Sequence, residues 1–254
     1  MFLNNIKQSK LILGLRNSLN IKPIQILLPN DTTSYSISDA FCWRNCENFK
    51  TVFRYTDIME YFVGIKNLII KLVLCDHNNN ILNSTDFKIN DLTGKIKINN
   101  IINDSKMKSG HFFLFHELSS KFEEKILVRN SCYTSYSFNK NVQSLVHGNL
   151  PVLAKNQDFV SYKKNIVQIS HFRTYDYMVQ NNFITYDKVE AFFFNPVKID
   201  LKIKINDLSF ILKAKSSKII NLPKAEIYKI TSKCLLMRPI FFVYKDDTFD
   251  VFHG

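Results

Sequence analysis

The amino-acid sequence predicts a mostly β, antiparallel protein made of two β-sandwich-like units with a short N-terminal helix. From about residue 65 onward, apolar residues alternate with polar ones or form short β-branched runs, and both patterns favour strands over helices. Turn signals rich in Asn and Asp separate these segments at intervals of about 8 to 12 residues, as in antiparallel sandwiches and barrels. A parallel α/β fold would need a helix after almost every strand, and the chain offers too few.

The first clear strand covers residues 68–74, which are apolar except for one lysine. It ends at the polar segment 76–80, where Asp and Asn tolerate a left-handed backbone and bond their own main chain, as a hairpin turn requires. The return strand is expected to begin at Ile81. Further strands are predicted at residues 95–98, 112–115, 189–194, 199–205, 210–214, 225–230 and 240–244.

Helical patterns occur in three places, at residues 4–19, 56–63 and 119–127. In the second of these, Asp57 stands three residues before Glu60, an arrangement that caps one or two turns of helix. The first segment supplies the predicted N-terminal helix.

A charged segment near residues 119–129 is the predicted boundary between the two units. The N-terminal helix and the first sandwich-like unit then occupy residues 1–125, and the second unit occupies residues 126–254. The pentapeptide Lys-Ile-Asn-Asp-Leu occurs at residues 88–92 and again at 204–208, each time after a predicted strand. Duplication and chance are both open as its origin, and Asn-Asp is expected to form the turn in each copy.

Glycine is scarce, since the chain has only six, and no two of them are close in sequence. The glycine-rich loops that cradle phosphates are therefore absent, which argues against the common mononucleotide and dinucleotide enzymes. The formal net charge is +12, but the lysines alternate with apolar residues instead of clustering, as at Lys198, Lys202 and Lys204. This pattern is typical of solvated strand faces, and a polyanion partner stays open as an alternative.

Five cysteines spread over 254 residues do not form a disulfide framework, so reduced thiols and a cytoplasmic location are expected. No run approaches the ~18 to 20 apolar residues of a membrane span. The N-terminal segment is basic, because its first acidic residue is Asp31. An organelle-targeting or membrane-surface helix is therefore an alternative to a helix packed on the body.

Two groups of residues could bind a metal ion. His147, Asp250 and His253 would offer two imidazoles and a carboxylate, a donor set used for zinc or non-haem iron, if the sheet topology brought them together. Cys42, Cys46 and the Cys75-Asp76-His77 segment could in principle bind zinc, but the spacing lacks the usual close pairs of ligands. No cofactor is predicted, and a divalent metal is kept as an alternative.

Candidate binding residues lie in two segments of the second half. His147 and Asn149 stand in a polar loop beside Gly148, where an exposed imidazole could contact a ligand. The other segment has His171, Arg173, Tyr175 and Tyr177, a mixture of rings and polar groups found where sugars or bases stack.

The sequence contains no recognisable catalytic motif, and no catalytic residue is assigned. The leading hypothesis is a non-catalytic β-sandwich protein with a recognition or structural role, with a glycan or another protein as its partner. One alternative is a metal-dependent or general-base enzyme with its site in the second unit. The other is a polyanion or nucleic-acid binder that uses the basic surface, with nucleic acid the less favoured partner. The oligomeric state is not indicated.

Overall fold

The computed structural model describes residues 12, 15, 34–46, 48–66, 68–102, 107–117, 127–129, 132–139, 142–155, 158–165, 169–170, 172–180, 185–235 and 237–253. Within these described residues the protein is mostly antiparallel β, with 61% strand and 7% helix. This confirms the predicted mostly β, antiparallel class.

Nineteen strands lie in the described residues, and most of those predicted from the alternating pattern are present. The strands are β1 (Tyr35–Arg44), β2 (Phe49–Thr56), β3 (Ile69–Cys75), β4 (Ile81–Lys88), β5 (Thr93–Lys97), β6 (Ser109–His116), β7 (Leu127–Arg129), β8 (Cys132–Phe138), β9 (Ser144–Val146), β10 (Asn149–Lys155), β11 (Asp158–Asn165), β12 (Tyr175–Gln180), β13 (Lys188–Phe194), β14 (Leu201–Ile205), β15 (Leu208–Leu212), β16 (Ser217–Leu222), β17 (Ile227–Ser232), β18 (Ile240–Lys245) and β19 (Thr248–His253).

Hydrogen bonding joins these strands into four sheets. Sheet I has the order β11-β10-β1-β6-β3-β4, with β7 beside β1, and sheet II has the order β5-β2-β8-β9. Sheet III is β12-β17-β14-β15, and sheet IV is β16-β13-β18-β19. Neighbouring described strands are antiparallel except for the parallel pair β1 and β7.

The four sheets form a propeller-like ring, and the two predicted sandwich-like units are not confirmed. Alternation along a strand indicates which of its faces is buried, but it does not specify which strands become neighbours. Aromatic pairs pack sheet against sheet. These pairs are Phe41 with Phe53 (sheets I and II, 5.1 Å between ring centroids), Tyr136 with Phe242 (sheets II and IV, 5.0 Å) and Tyr228 with Phe241 (sheets III and IV, 5.6 Å).

Strand pairing crosses the boundary predicted at residue 125. Ile37 of β1 pairs with Leu153 of β10, and Phe53 of β2 pairs with Thr134 of β8. Sheets I and II therefore contain strands from both predicted units, whereas sheets III and IV use only strands after residue 170. The division of the chain into two units stays a prediction.

Strand β1 changes partners along its length. Its first half pairs with β10 on one side and β7 on the other, and its last four residues pair with β6. The register to β10 shifts between Ser38 and Ala40, and the residue skipped there is Asp39. Such an irregularity bends a strand and increases its twist. The bend allows one strand to serve two parts of sheet I.

Helix α1 (Ile58–Val63) confirms the predicted capped turn. The Asp57 carboxylate accepts hydrogen bonds from the backbone N–H groups of Met59 and Glu60, at 3.0 and 3.1 Å. Gly64 ends the helix at φ 73°, a left-handed conformation that glycine adopts without strain. The predicted helix at residues 4–19 is described only at Ile12 and Leu15, which are both helical. The predicted helix at residues 119–127 lies outside the described residues except for Leu127, which begins strand β7 instead.

The repeated pentapeptide forms two different structures, which corrects the expectation of one turn in both copies. At residues 204–208 it makes a hairpin between β14 and β15, with Asn206 left-handed at φ 49°. At residues 88–92 it links β4 of sheet I to β5 of sheet II, and none of its residues has a positive φ. Because the local sequence is the same in both copies, the backbone conformation must depend on the strands with which each copy pairs.

The largest cluster of buried apolar side chains joins sheets I, II, III and IV through residues such as Phe113, Tyr136, Tyr228 and Phe242. A second cluster lies between sheets I and II, around Phe41. No helix within the described ranges is long and apolar enough to cross a membrane.

Candidate functional site

The structure brings together two of the three residues predicted to bind a metal. The rings of His147 and His253 stack with their centroids 6.3 Å apart. Asp250 instead accepts a hydrogen bond from the Ser144 hydroxyl, at 2.5 Å. In the part of the chain that the structure describes, no three His, Cys, Asp or Glu side chains are grouped so that they could hold an ion. The metal hypothesis therefore stays a prediction, with no observed geometry to support it.

His253 is neutral at physiological pH. Burial, together with the positive charge of Arg238, lowers the pKa of His253 to about 4. An imidazole with a pKa this low accepts a proton only in acid. His253 is therefore poorly suited to act as a general base near neutral pH.

The predicted binding residues fall in different environments. His147 is exposed, as expected, and its ring lies 4.2 Å from the ring of Tyr133. Asn149 is buried and donates a hydrogen bond to the backbone carbonyl of Phe192, at 3.4 Å. Its side chain is therefore part of the interior, whereas His147 is available to a partner.

The second predicted binding segment lies on β12, in sheet III. Tyr175 and Tyr177 are both half-buried on the inner side of the strand, and Tyr177 packs against the main core. The Arg173 guanidinium lies 5.0 Å from the centre of the Tyr175 ring. His171 lies outside the described residues.

A buried charged group connects the end of β1 to sheet IV. The Arg44 Nη1 atom donates hydrogen bonds to Glu190 Oε2 at 2.6 Å and to the Tyr244 hydroxyl at 2.8 Å. The Tyr244 hydroxyl in turn donates to Glu190 Oε2 at 2.7 Å, and Lys188 Nζ lies 2.7 Å from Glu190 Oε1. The Glu190 carboxylate therefore contacts the polar groups of three side chains.

These contacts fix the protonation states of the group. Burial opposes ionisation of Glu190, but the positive charge of Arg44 and hydrogen bonds from three side chains outweigh it and lower the pKa of the carboxyl. Burial raises the pKa of Tyr244 well above its ordinary value, so the hydroxyl keeps its proton. We refer to Arg44, Glu190, Tyr244 and Lys188 as the Arg44 cluster.

Arg44 also packs between two rings. Its guanidinium carbon is 4.1 Å from the centre of the Phe49 ring and 5.0 Å from that of Phe242. These distances are in the range of cation–π attraction, which is stronger when water is excluded. The Nε atom is buried and has no hydrogen-bond partner in the described part of the chain.

A cleft opens beside the Arg44 cluster. Its volume is about 700 Å³, and it lies between the β1–β2 connection and the β18–β19 hairpin. The rings of Phe49, Phe138 and Tyr244 form its apolar part, and amides and charged groups form the rest. The polar lining residues are Arg44, Asn45, Cys46, Asn48, Lys108, Asp187, Lys188 and Asp246.

Sequence reasoning missed the Arg44 cluster, although a signal was present. Arg44 ends a strand of buried residues, and Glu190 interrupts the apolar strand β13. A charged residue in a buried strand needs a partner, because an isolated buried charge is costly. The sequence could thus indicate that each required a partner, but not that they partner each other.

A second buried polar cluster joins sheets I and IV at the β3–β4 turn. His77 Nδ1 and His111 Nδ1 lie 2.8 and 2.9 Å from the Ser217 hydroxyl oxygen. His77 Nε2 is 2.8 Å from the Ser109 hydroxyl, and His111 Nε2 is 3.1 Å from Asn79 Oδ1. Burial lowers the pKa of His77, so the ring is neutral and connects hydroxyl groups without carrying charge. This cluster accounts for His77 without a zinc ion, and Cys42 and Cys75 are both buried.

No family model, curated protein or solved structure matches the chain. The function must therefore be inferred from the geometry of the sites themselves.

Proposed function

We propose that the protein is a non-catalytic recognition protein that binds a glycan in the cleft beside the Arg44 cluster. The observation that carries the proposal is the lining of this cleft, in which aromatic rings adjoin amide and charged groups. A cavity of about 700 Å³ is within the usual range for small-ligand sites. The ring hydrogens of a sugar pack on aromatic side chains, and its hydroxyls bond to amides and carboxylates.

The rings and polar groups have suitable positions. Phe138 is partly exposed, and its ring lies 5.6 Å from that of Tyr244. Asn48 and Asp246 are exposed at the rim, while Asn45 and Cys46 are half-buried. A saccharide could therefore pack against Phe138 while its hydroxyls contact the polar rim.

The ionisation of the cleft favours binding without chemistry. General acid–base catalysis near neutral pH needs a group whose pKa is close to that pH. Beside the cleft Glu190 is held ionised, Tyr244 on its wall is held protonated, and no histidine lies among the lining residues that the structure describes. The Arg44 cluster then forms one wall of the cleft, in which the Glu190 carboxylate is paired with both Arg44 and Lys188.

The test uses the whole protein with tetrasaccharide probes: cellotetraose, chitotetraose, maltotetraose and a heparin-derived tetrasaccharide. Saturation-transfer NMR measures contact with each sugar. Alkylation of Cys46 by iodoacetamide, followed by peptide mass spectrometry, reports on the cleft, because Cys46 lines it. We expect at least one probe to slow alkylation of Cys46.

A matched pair of variants locates the binding. Asn48→Trp fills the rim of the cleft, and Asn221→Trp places the same ring at an exposed position on β16. We expect the first to abolish the transfer signal and the second to leave it unchanged. If no tetrasaccharide binds at millimolar concentration, or if both variants behave alike, the glycan proposal is wrong. Cleavage of any probe would contradict the non-catalytic assignment.

A further inference from the structure

Among the described residues, the outward face of sheet II carries positive charge and no negative charge. Register places Lys50 and Arg54 of β2 beside Lys95 and Lys97 of β5 on this side, because paired residues share a face. All four side chains are exposed. The remaining described positions on the face hold Thr, Val, Ser, Gln, Leu, Tyr and His, with no Asp or Glu.

The opposite faces of the same strands explain the pattern. Phe49, Phe53 and Tyr136 point inward and are buried, while their neighbours in sequence point outward. The alternation is that of a half-buried antiparallel sheet. The fold therefore explains why this face is exposed to solvent. Its basic composition is what distinguishes it from other exposed sheet faces.

Aromatic rings lie among the cations. Tyr133 of β8 pairs with Arg54 and is 44% exposed, and the His147 ring packs against it at 4.2 Å. The Arg54 Nη2 atom donates to Gln143 Oε1 at 2.6 Å, so the guanidinium extends across the sheet. Leu145 is also exposed beside this group.

Two depressions follow the face. One of about 470 Å³ is lined by Arg54, Lys95 and Tyr133, among others. The other, of about 590 Å³, is lined by residues that include Lys50 and Lys97, and it meets the glycan cleft at Asn45, Cys46 and Phe49. A linear ligand could follow the face through both depressions.

We propose that this face binds single-stranded nucleic acid. Proteins that bind single strands combine cations along the backbone path with rings on which bases stack, and the face has both. Charge complementarity alone would also suit an acidic glycan or an anionic membrane, but neither has a base to stack on Tyr133. The second depression shares Asn45, Cys46 and Phe49 with the cleft beside the Arg44 cluster, but the cations and rings that carry this proposal lie on sheet II and do not depend on the glycan proposal.

The outward face of sheet III provides an internal comparison. It presents Lys202, Lys204 and Lys229, but Lys229 Nζ pairs with Asp176 Oδ2 at 2.9 Å. None of its described positions carries an aromatic ring. Lys202 and Lys204 are exposed and are therefore suitable control positions for general charge effects.

The experiment measures the anisotropy of a fluorescein-labelled oligothymidylate of about 20 nucleotides, titrated with the whole protein at about 50 to 200 mM NaCl. Four phosphate contacts predict a slope of log K against log salt near about −2.8. Lys95→Ala/Lys97→Ala should reduce the slope by about 1.4 in magnitude. Lys202→Ala/Lys204→Ala should change neither slope nor affinity.

Tyr133→Leu tests stacking, because it keeps an apolar side chain on the strand and removes the ring. We expect Kd to rise by roughly 5- to 150-fold with the salt slope unchanged, the range given by loss of one stacked base. His147→Ala, at an exposed position, is the second variant if Tyr133→Leu fails to fold. It should weaken binding while leaving the melting temperature nearly unchanged.

Three results would overturn the proposal. The first is absence of binding by the unmodified protein at low salt. The second is equal loss in the two lysine double variants, which would indicate diffuse attraction to the whole basic chain. The third is normal affinity in a folded Tyr133→Leu protein. Heparin that competes equally, at matched charge, with the oligonucleotide for the unmodified protein and for Tyr133→Leu would have the same meaning. Either outcome would assign the face to an acidic polymer without bases.

Discussion

Replacing Glu190 with Ala should destabilise the fold strongly, because the change leaves the Arg44 charge buried without its carboxylate. The side chains of Arg44 and Glu190 are only 10% and 9% exposed. The change also removes the acceptor of the Tyr244 hydroxyl. Removing one charged side chain of a buried ion pair reduces the free energy of unfolding by about 3–5 kcal/mol. For a chain of this size, that loss lowers the melting temperature by about 6–20 °C.

Urea unfolding followed by the fluorescence of Trp43 measures this cost. Trp43 is the only tryptophan, is fully buried and precedes Arg44, so its emission reports directly on this region. Lys229→Ala is the control, since that pair is exposed and worth about 0–1 kcal/mol. The double variant Arg44→Met/Glu190→Ala should be more stable than Glu190→Ala, because neither charge then remains buried. A loss below about 1 kcal/mol for Glu190→Ala, with no recovery in the double variant, would refute the reasoning.

Other expected outcomes test the remaining structural features. The pKa of His253 is lowered to about 4, so the unfolded chain takes up a proton first. Stability should therefore fall as pH drops from about 6.5 to 4, by up to roughly 3 kcal/mol, and urea titrations of His253→Phe should show a flatter profile. Gly148→Ala would place a Cβ against Asp39 and the Phe41 ring. Thermal melting should then show that the free energy of unfolding falls by about 1–3 kcal/mol. An unchanged melting curve would mean that the backbone at residue 148 shifts to make room. A fragment of residues 166–254 keeps sheets III and IV whole and should melt cooperatively, whereas residues 129–254 should carry β8 and β10 without their partners β2 and β1. Equal cooperative melting of both fragments would contradict that expectation.

The sequence predicts local features of this fold well. The alternation at β3 and β4, the left-handed turn at Asn79 and the Asp57 cap all depend on residues a few positions apart. Side-chain chemistry and backbone preference are sufficient at that range. The pentapeptide at residues 88–92 and 204–208 shows where local prediction fails. Its two copies have the same sequence but lie between different strands, and they adopt different backbone conformations.

The candidate sites depend on distant pairing and could not be predicted in the same way. Arg44 and Glu190 are 146 residues apart, and no local pattern links them. On β2, the outward positions of Lys50 and Arg54 follow from alternation alone. That Lys95 and Tyr133 lie beside Arg54 follows only from the register of three strands. The polar loop around His147 predicts an accessible ring, but it does not predict that Tyr133 packs against it.

The bent strand β1 also has a consequence for how the chain reaches its native state. Tyr35 pairs with Lys155, so the ribosome must synthesise 120 further residues (155 − 35) before that contact can form. Contacts of such long range close slowly, and during synthesis the first half of β1 exposes unpaired backbone groups. We expect nascent chains that end before β10 to bind holdase chaperones, and refolding from urea to slow and lose yield as protein concentration rises. The backbone groups of β1 that join sheet I in the folded protein are thus exposed for pairing with other chains until β10 is made.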